Sequence, residues 1–125
     1  MNALIIDDDK SLRWILENIL NKKFNVTVRS DGMSGLSWLS QGHIPDIIIT
    51  DMNLPRMNGL DFLKSLKRSG AYKNIPVIII SGEDDRELKE NCIKEGALNF
   101  IQKPFDPEEL HSIIESVFKN NKQSA

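Results

Sequence analysis

Apolar residues form short continuous runs at three places in the chain. The first run covers residues 3–6, and two isoleucine-rich runs cover residues 46–50 and 76–81. β-branched runs of this length, without alternation, are typical of strands that are buried on both faces. Residues 24–29 instead alternate apolar and polar positions, which predicts a strand near a sheet edge, and residues 98–101 form a fifth candidate strand.

Helical hydrophobic patterns separate these candidate strands. Three segments carry apolar residues at the spacing of an amphipathic helix, namely residues 12–20, 60–66 and 110–117. Weaker patterns over residues 31–39 and 84–95 predict two further helices. A predicted helix therefore follows each predicted strand, five times along the chain.

Polar residues precede several of these helices at the N-cap position. Asp9 precedes the first helix and Asn58 the third, while Asp106 precedes the last, with Pro107 as its first residue. Their side-chain oxygens can accept backbone N–H groups that have no partner within the helix. We expect these three helices to begin directly after the capping residues.

The alternation of strands and helices predicts an α/β fold. Right-handed crossover connections then require a parallel sheet that is covered by helices on both faces. In open sheets of this kind, ligands bind beyond the carboxyl ends of the strands, near the point where the strand order reverses. The residues that end each strand are therefore the first candidates for chemistry.

The composition is that of one globular domain. The chain has 125 residues, of which 40% are hydrophobic and 27% charged, and its formal charge of −2 gives no sign of a nucleic-acid-binding surface. No apolar run is long enough for a membrane span, and no segment resembles a secretory signal. Cys92 is the single cysteine, which we expect to be buried. A cytoplasmic protein without direct membrane or nucleic-acid contact is the simplest expectation.

Chemically capable side chains stand at the carboxyl ends of four predicted strands. Asp7 and Asp8 follow the first strand, Asp51 the third, Ser81 the fourth and Lys103 the fifth. The second strand ends in an unremarkable loop. Because these ends share one edge of a parallel sheet, we expect three carboxylates, a hydroxyl and an amine to meet there.

Adjacent ionised carboxylates repel one another by about 4 kcal/mol at roughly 4 Å, for an effective dielectric constant near 20. A divalent cation removes this repulsion, and an all-oxygen set of ligands favours Mg²⁺. Mg²⁺ also leaves positions open for phosphoryl oxygens, and a carboxylate can act as the nucleophile in phosphoryl transfer. The pattern predicts a magnesium-dependent phosphoryl-transfer site.

Five segments of the chain resemble a known family. Residues 4–118 resemble the receiver domain of two-component response regulators, with matching motifs IIDDD at 5–9, DIIITDMNLPRMNG at 46–59, VIIIS at 77–81, GA at 96–97 and KPF at 103–105. The resemblance implies a flavodoxin-like, doubly wound parallel sheet in the order 2-1-3-4-5 with five helices. We expect a receiver domain over residues 1–119, and the polar composition of residues 120–125 predicts a tail after it.

The resemblance also implies a role for each site residue. Asp51 would accept a phosphoryl group from a sensor histidine kinase or phosphotransfer protein, and Lys103 would pair with that group. The Mg²⁺ ligands would be Asp7, Asp8, Asp51 and the backbone carbonyl of Asn53. The domain would not be a conventional enzyme, but a phosphoacceptor that assists its own phosphorylation and dephosphorylation.

A switch is the second implication of the resemblance. Ser81 would turn inward to bond the phosphoryl group, Phe100 would pack inward on activation, and the Lys103–Pro104 peptide bond would be cis. These movements would change the face formed by the fourth helix, fifth strand and fifth helix, which would control a downstream protein target or an output domain absent from this chain. A stand-alone regulator and a fragment of a longer protein are both compatible with the sequence.

Three other functions remain open at this point. A phosphatase of the haloacid-dehalogenase type would use the D-x-D spacing of Asp7 and Asp9, and it would hydrolyse simple phosphoesters. A pseudo-receiver would bind a partner without phosphorylation, which the complete set of acids, hydroxyl and lysine disfavours. A flavin-binding protein of similar topology would need a phosphate-binding loop after the first strand, where this chain has acids.

Overall fold

The computed structural model describes the backbone of residues 1–124 and the side chains of residues 1–119. The elements alternate as predicted, with bounds β1 (Asn2–Ile6), α1 (Lys10–Leu20), β2 (Asn25–Arg29), α2 (Gly32–Ser40), β3 (Ile47–Asp51), α3 (Gly59–Lys67), β4 (Val77–Ser81), α4 (Arg86–Lys94), β5 (Asn99–Gln102) and α5 (Pro107–Ser124). The side chains of the predicted polar tail, residues 120–125, lie outside the described residues. Within the described part, no helix has both the length and the apolar character needed to cross a bilayer.

The five strands form one parallel sheet in the order β2-β1-β3-β4-β5. This confirms the predicted architecture and strand order. Ile6 of β1 pairs with Thr50 of β3, and Asp51 pairs with Ile80 of β4. The carboxyl ends of these three strands therefore lie side by side. The strand order reverses at β1 and β3, which is where α/β sheets bind ligands.

The core has one layer on each face of the sheet. On one face, Leu4 and Ile48 pack with Phe62 and other side chains of α2, α3 and α4. On the opposite face, Ile5 and Ile49 pack with the apolar residues of α1 and α5. Successive residues of a central strand enter different layers, and both layers consist of buried apolar side chains. The unbroken apolar runs of the sequence follow from this arrangement.

The predicted helix caps are confirmed. The Asp9 carboxylate accepts the Ser11 N–H at 2.9 Å, and the Asn58 amide oxygen accepts the Asp61 N–H at 2.8 Å. Asp106 accepts the Glu108 N–H at 2.9 Å. A cap of this kind stabilises a helix by about 1 kcal/mol. Asp9 therefore has a structural role, although it belongs to the same acidic run as Asp7 and Asp8.

Gly59 allows helix α3 to pack directly against the end of β3. A Cβ atom at this position would lie 2.7 Å from the backbone oxygen of Asp51 and 2.9 Å from the Cα atom of Met52. The Gly59 N–H donates to the Met52 carbonyl at 2.8 Å in the same contact. Both close neighbours are backbone atoms, which cannot move aside as a side chain can. The strand that carries Asp51 is therefore held in place by a contact that requires glycine.

We expect Gly59→Ala to lower the free energy of unfolding by about 1 to 3 kcal/mol, because the added methyl group overpacks a backbone contact. Gly70→Ala is the matched control, since a Cβ there meets no atom within 4 Å. The control should change stability by about 1 kcal/mol or less, in the stabilising direction. Urea denaturation measures the stability of both variants and of the wild-type protein. Equal unfolding midpoints for Gly59→Ala and the wild-type protein would contradict the packing argument.

Candidate functional site

Three carboxylates meet at the carboxyl edge of the sheet. Asp7 and Asp8 directly follow β1, and Asp51 is the last residue of β3. One oxygen from each carboxylate lies within 4.8 Å of the other two. Asp7 is 1% exposed and Asp51 is 5% exposed, whereas Asp8 is open to solvent. The predicted acidic cluster is therefore formed, with two buried members and one exposed member.

One oxygen of Asp7 has no hydrogen-bond partner. Its Oδ1 atom accepts the Asp9 N–H at 2.8 Å, but its Oδ2 atom is buried and, among the described residues, receives no hydrogen bond. Buried polar atoms are nearly always paired, so an unpaired one calls for an explanation. A hard cation held by the three carboxylates would supply the missing interaction. The residues present thus fit an ion such as Mg²⁺.

Burial raises the pKa of Asp7 to about 6. The hydrogen bond from the Asp9 N–H and the charge of Lys103 act in the opposite direction, while the charges of Asp51 and Asp8 raise the pKa further. The carboxylate of Asp7 is therefore costly to ionise in the absence of a cation. An additional positive charge at this place would stabilise the ionised form.

Lys103 provides the one ammonium group that contacts the acidic cluster in the described structure. Its Nζ atom lies 3.1 Å from Oδ2 of Asp51, and its side chain is 29% exposed. The Lys103 N–H donates to the carbonyl of Ser81 at 2.7 Å, which ties the end of β5 to the end of β4. The Lys103–Pro104 peptide bond is cis, as the resemblance implied. Lys103 is therefore held at the site by both its backbone and its side chain.

The other oxygen of Asp51 faces the loop that follows β3. Its Oδ1 atom accepts the Asn53 N–H at 3.3 Å. Asp51 thus has a backbone donor on one oxygen and an ammonium group on the other. This arrangement orients a carboxylate whose immediate surroundings are otherwise acidic.

Ser81 lies at the edge of this arrangement. It is the last residue of β4, directly after the residue that pairs with Asp51, and it is fully buried. Its hydroxyl oxygen accepts the Glu83 N–H at 3.0 Å, inside its own turn. The strand register therefore brings Ser81 to the site, while its hydroxyl bonds the following loop.

Phe100 is in the core and does not belong to the acidic cluster. It is 7% exposed and pairs with Ile79 in the sheet, in the layer that also contains Cys92 and Ala97. Phe100 therefore already packs into the core in this structure. Cys92 is fully buried, as the sequence predicted.

The sequence did not reveal two backbone features beside Asp51. One is the close contact of Gly59 described above, whose only signal is a glycine at the first position of a helix. The other is Arg56, which has a φ angle of 69° in the loop between β3 and α3. A left-handed conformation is unusual for arginine, and the residue type gives no indication of it.

The assembled site can perform phosphoryl chemistry. Asp51 is a buried carboxylate with a fixed orientation, and the Lys103 ammonium group beside it can stabilise the charge of a phosphoryl group. Asp7 and Asp8 complete an oxygen-only set of donors for a divalent cation. Among the described residues, Asp51 is the carboxylate that contacts the Lys103 ammonium group, and it is therefore the candidate nucleophile.

Comparisons with known proteins agree with this chemistry. The family model for the response regulator receiver domain matches residues 3–115. Chemotaxis protein CheY-3 from Vibrio cholerae is 34% identical over 121 residues, which cover 95% of this chain and 92% of that protein. The DNA-binding transcriptional regulator NtrC from Proteus hauseri is 31% identical over 91% of this chain, but the chain spans only 24% of its length.

Solved structures show the same fold. A response regulator receiver domain from Clostridium thermocellum superimposes with a TM-score of 0.86 at 26% identity and covers 99% of this chain and 98% of its own. The receiver domain of sensor histidine kinase PA1611 from Pseudomonas aeruginosa has a TM-score of 0.80 at 22% identity, covers 92% and 94% of the two chains, and has a magnesium ion coordinated in its active site cleft. The chain therefore belongs to the response regulator receiver family, whose members are phosphorylation-activated signalling switches.

Proposed function

We propose that Asp51 is the phosphoacceptor of this receiver domain. The observation that carries the proposal is the contact between Asp51 and Lys103 at 3.1 Å inside a cluster of three carboxylates. Asp8 is exposed, and Asp7 has one oxygen bonded to the Asp9 N–H and the other enclosed. Among the three carboxylates, Asp51 alone combines burial, a fixed orientation and an adjacent ammonium group.

The transfer forms a bond between phosphorus and one carboxylate oxygen of Asp51. In the donor protein, the bond between phosphorus and a histidine nitrogen breaks, and its electron pair leaves with the imidazole. Lys103 stabilises the added negative charge on the phosphoryl oxygens through its ammonium group. In the reverse direction of the switch, water attacks the phosphorus of the acyl phosphate, the bond between phosphorus and the Asp51 oxygen breaks, and the free carboxylate and inorganic phosphate are released. The domain thus assists both steps on its own side chain.

Asp7, Asp8, Asp51 and the backbone carbonyl of Asn53 are the proposed ligands of Mg²⁺. When bound, the ion supplies charge neutralisation for the carboxylates and for the phosphoryl oxygens. The unpaired Oδ2 atom of Asp7 supports this assignment, as does the oxygen-only composition of the cluster. The ion in the cleft of the Pseudomonas aeruginosa receiver domain is consistent with it.

Ser81 and Phe100 are the proposed switch residues. On phosphorylation, the Ser81 hydroxyl would leave the Glu83 N–H and donate to a phosphoryl oxygen, which releases the loop that leads into α4. Phe100 lies in the same core layer as residues of α4, so a shift of this loop changes its packing. A modified Asp51 would thereby shift the equilibrium between two arrangements of α4, β5 and α5.

The proposed output surface is the face formed by α4, β5 and α5. The exposed side chains of these elements include Arg86, Lys89, Ile93 and Gln102. This mixture of basic, apolar and amide groups suits a protein partner, which is either a separate target or an output domain. The phosphodonor is a sensor histidine kinase or a phosphotransfer protein.

Acetyl phosphate with Mg²⁺ should add one phosphoryl group to the protein, because the acidic pocket supplies the transfer machinery itself. Intact-mass spectrometry should show this addition, and Asp51→Asn should abolish it. Asp84→Asn is the matched control, since it removes an exposed carboxylate of the β4–α4 loop that is outside the acidic cluster. Labelling that persists in Asp51→Asn would mean that another residue is the acceptor.

Mg²⁺ should stabilise the folded protein because it binds only the assembled carboxylates. At about ten times its dissociation constant, the gain is about 1.4 kcal/mol, or a rise in Tm of roughly 3 to 8 °C. Asp8→Asn should reduce this gain by more than half, whereas Asp84→Asn should leave it unchanged. Differential scanning fluorimetry with and without Mg²⁺ measures the difference, and an equal gain in all three proteins would refute the assigned ligands.

Without divalent cations, the contribution of Asp7 to the stability of the wild-type protein should fall as the pH rises from about 4 to 7. The folded pKa of Asp7, about 6, is above its unfolded value of 3.8, so the folded state binds more protons in this interval. The loss is at most about 3 kcal/mol. Asp7→Asn should lack this component and should be the more stable protein at pH 7. Urea denaturation in EDTA measures the stability of the wild-type protein and of Asp7→Asn across this pH range. The same pH dependence of stability in both proteins would contradict the prediction.

A further inference from the structure

A second cavity lies at the edge of the sheet opposite the acidic cluster. It has a volume of about 510 Å³ and is formed where the end of α1 and the segment that precedes β2 meet the middle of α5. Met1 and Phe24, which directly precede β1 and β2, contribute to its lining. The five residues of β1 separate it from Asp7 by about 16 Å. None of its lining residues belongs to the phosphoryl site.

The inner wall of this cavity is apolar and well packed. Leu20, Phe24 and Ile114 are nearly fully buried, with exposures of 1%, 6% and 3%. Phe118 packs its ring edge against Phe24 at a centroid distance of 5.3 Å. Phe118 and Ile19 are half-buried at the open side. A cavity with such a wall and volume is in the range that binds small molecules.

The rim of the cavity is basic. Lys22, Lys23 and Lys119 are exposed there, and one acid, Glu115, accompanies them. The Glu115 carboxylate already contacts Lys23 at 2.9 Å and His111 at 3.4 Å. The ammonium groups of Lys22 and Lys119 make no ion pair within the described part of the chain. An apolar cavity is thus bordered by three ammonium groups and one carboxylate, which leaves its rim with a net positive charge.

We propose that this cavity binds a small amphipathic anion, with one carboxylate head group and an unbranched hydrocarbon body of medium length. The body would lie against Phe24, Ile114 and Phe118, and the carboxylate would bond Lys22 and Lys119. A second copy of this chain fits poorly, because a two-fold contact through the cavity would bring the two lysine rims together. The complementary charge and the limited volume select a small anion.

Titration of the full chain with decanoate below its micelle concentration tests the proposal by isothermal calorimetry. Decanoate should bind at least tenfold more tightly than decylammonium, which has the same chain and the opposite charge. From hexanoate to decanoate, each added methylene should strengthen binding by about two- to fourfold. Equal binding of decanoate and decylammonium, or the absence of decanoate binding, would overturn the proposal.

Charge reversal on the rim locates the head group. Lys22→Glu combined with Lys119→Glu should weaken decanoate binding at least tenfold, while Lys73→Glu combined with Lys94→Glu, on other surfaces, should change it less than twofold. Amide chemical shifts caused by decanoate should concentrate at residues 19–24 and 111–119. Equal weakening in both double variants, or shifts centred elsewhere, would refute the site.

Two further outcomes would overturn the proposal, because they would assign the cavity to a different occupant. Dimerisation that the rim variants abolish would assign the cavity to a second copy of the chain. Binding to phosphatidylglycerol vesicles without binding to free decanoate would assign it to a membrane surface. Decanoate binding should remain unchanged in Asp51→Asn, because the cavity is independent of the phosphoryl site. Loss of binding in that variant would contradict this independence.

Discussion

The repulsion among three carboxylates at one sheet edge is the constraint around which this domain is built. Asp7, Asp8 and Asp51 carry three negative charges within a few ångströms, and Lys103 contributes one positive charge. Ionising these groups together costs free energy: burial is the largest cause of the raised pKa of Asp7, and the charges of Asp51 and Asp8 raise it further. The core must supply this energy, and it does so through two apolar layers on either side of an isoleucine-rich sheet. A stable scaffold therefore holds a site that carries more negative than positive charge.

Most of the fold could be predicted from the sequence because the physics of its elements is local. Strands covered on both faces require unbroken apolar runs, and helices covered on one face require a stripe of period 3.6. Each kind of pattern is visible here in a few residues. The position of the acids was predictable for a related reason. Parallel strands place their carboxyl ends together, so that residues as distant as Asp7 and Lys103 meet at one edge.

The features that escaped prediction depend on atoms rather than on residue types. The hydroxyl of Ser81 accepts the Glu83 N–H, the φ angle of Arg56 is positive, and one oxygen of Asp7 has no partner in the part of the chain that the structure describes. Each depends on the final packing of several segments. The apolar cavity was missed for the same reason, since α1, the segment that precedes β2, and α5 contribute its wall from separate regions of the chain. No single segment carries a recognisable motif for it.

Cys92 gives the domain a built-in reporter of α4. It is the chain's single cysteine, its side chain is fully enclosed between α4 and the sheet, and burial raises the pKa of its thiol. An alkylating reagent can therefore reach a reactive thiolate only when this helix detaches. The rate at which the thiol is alkylated would measure how often α4 opens, without any label being introduced into the protein.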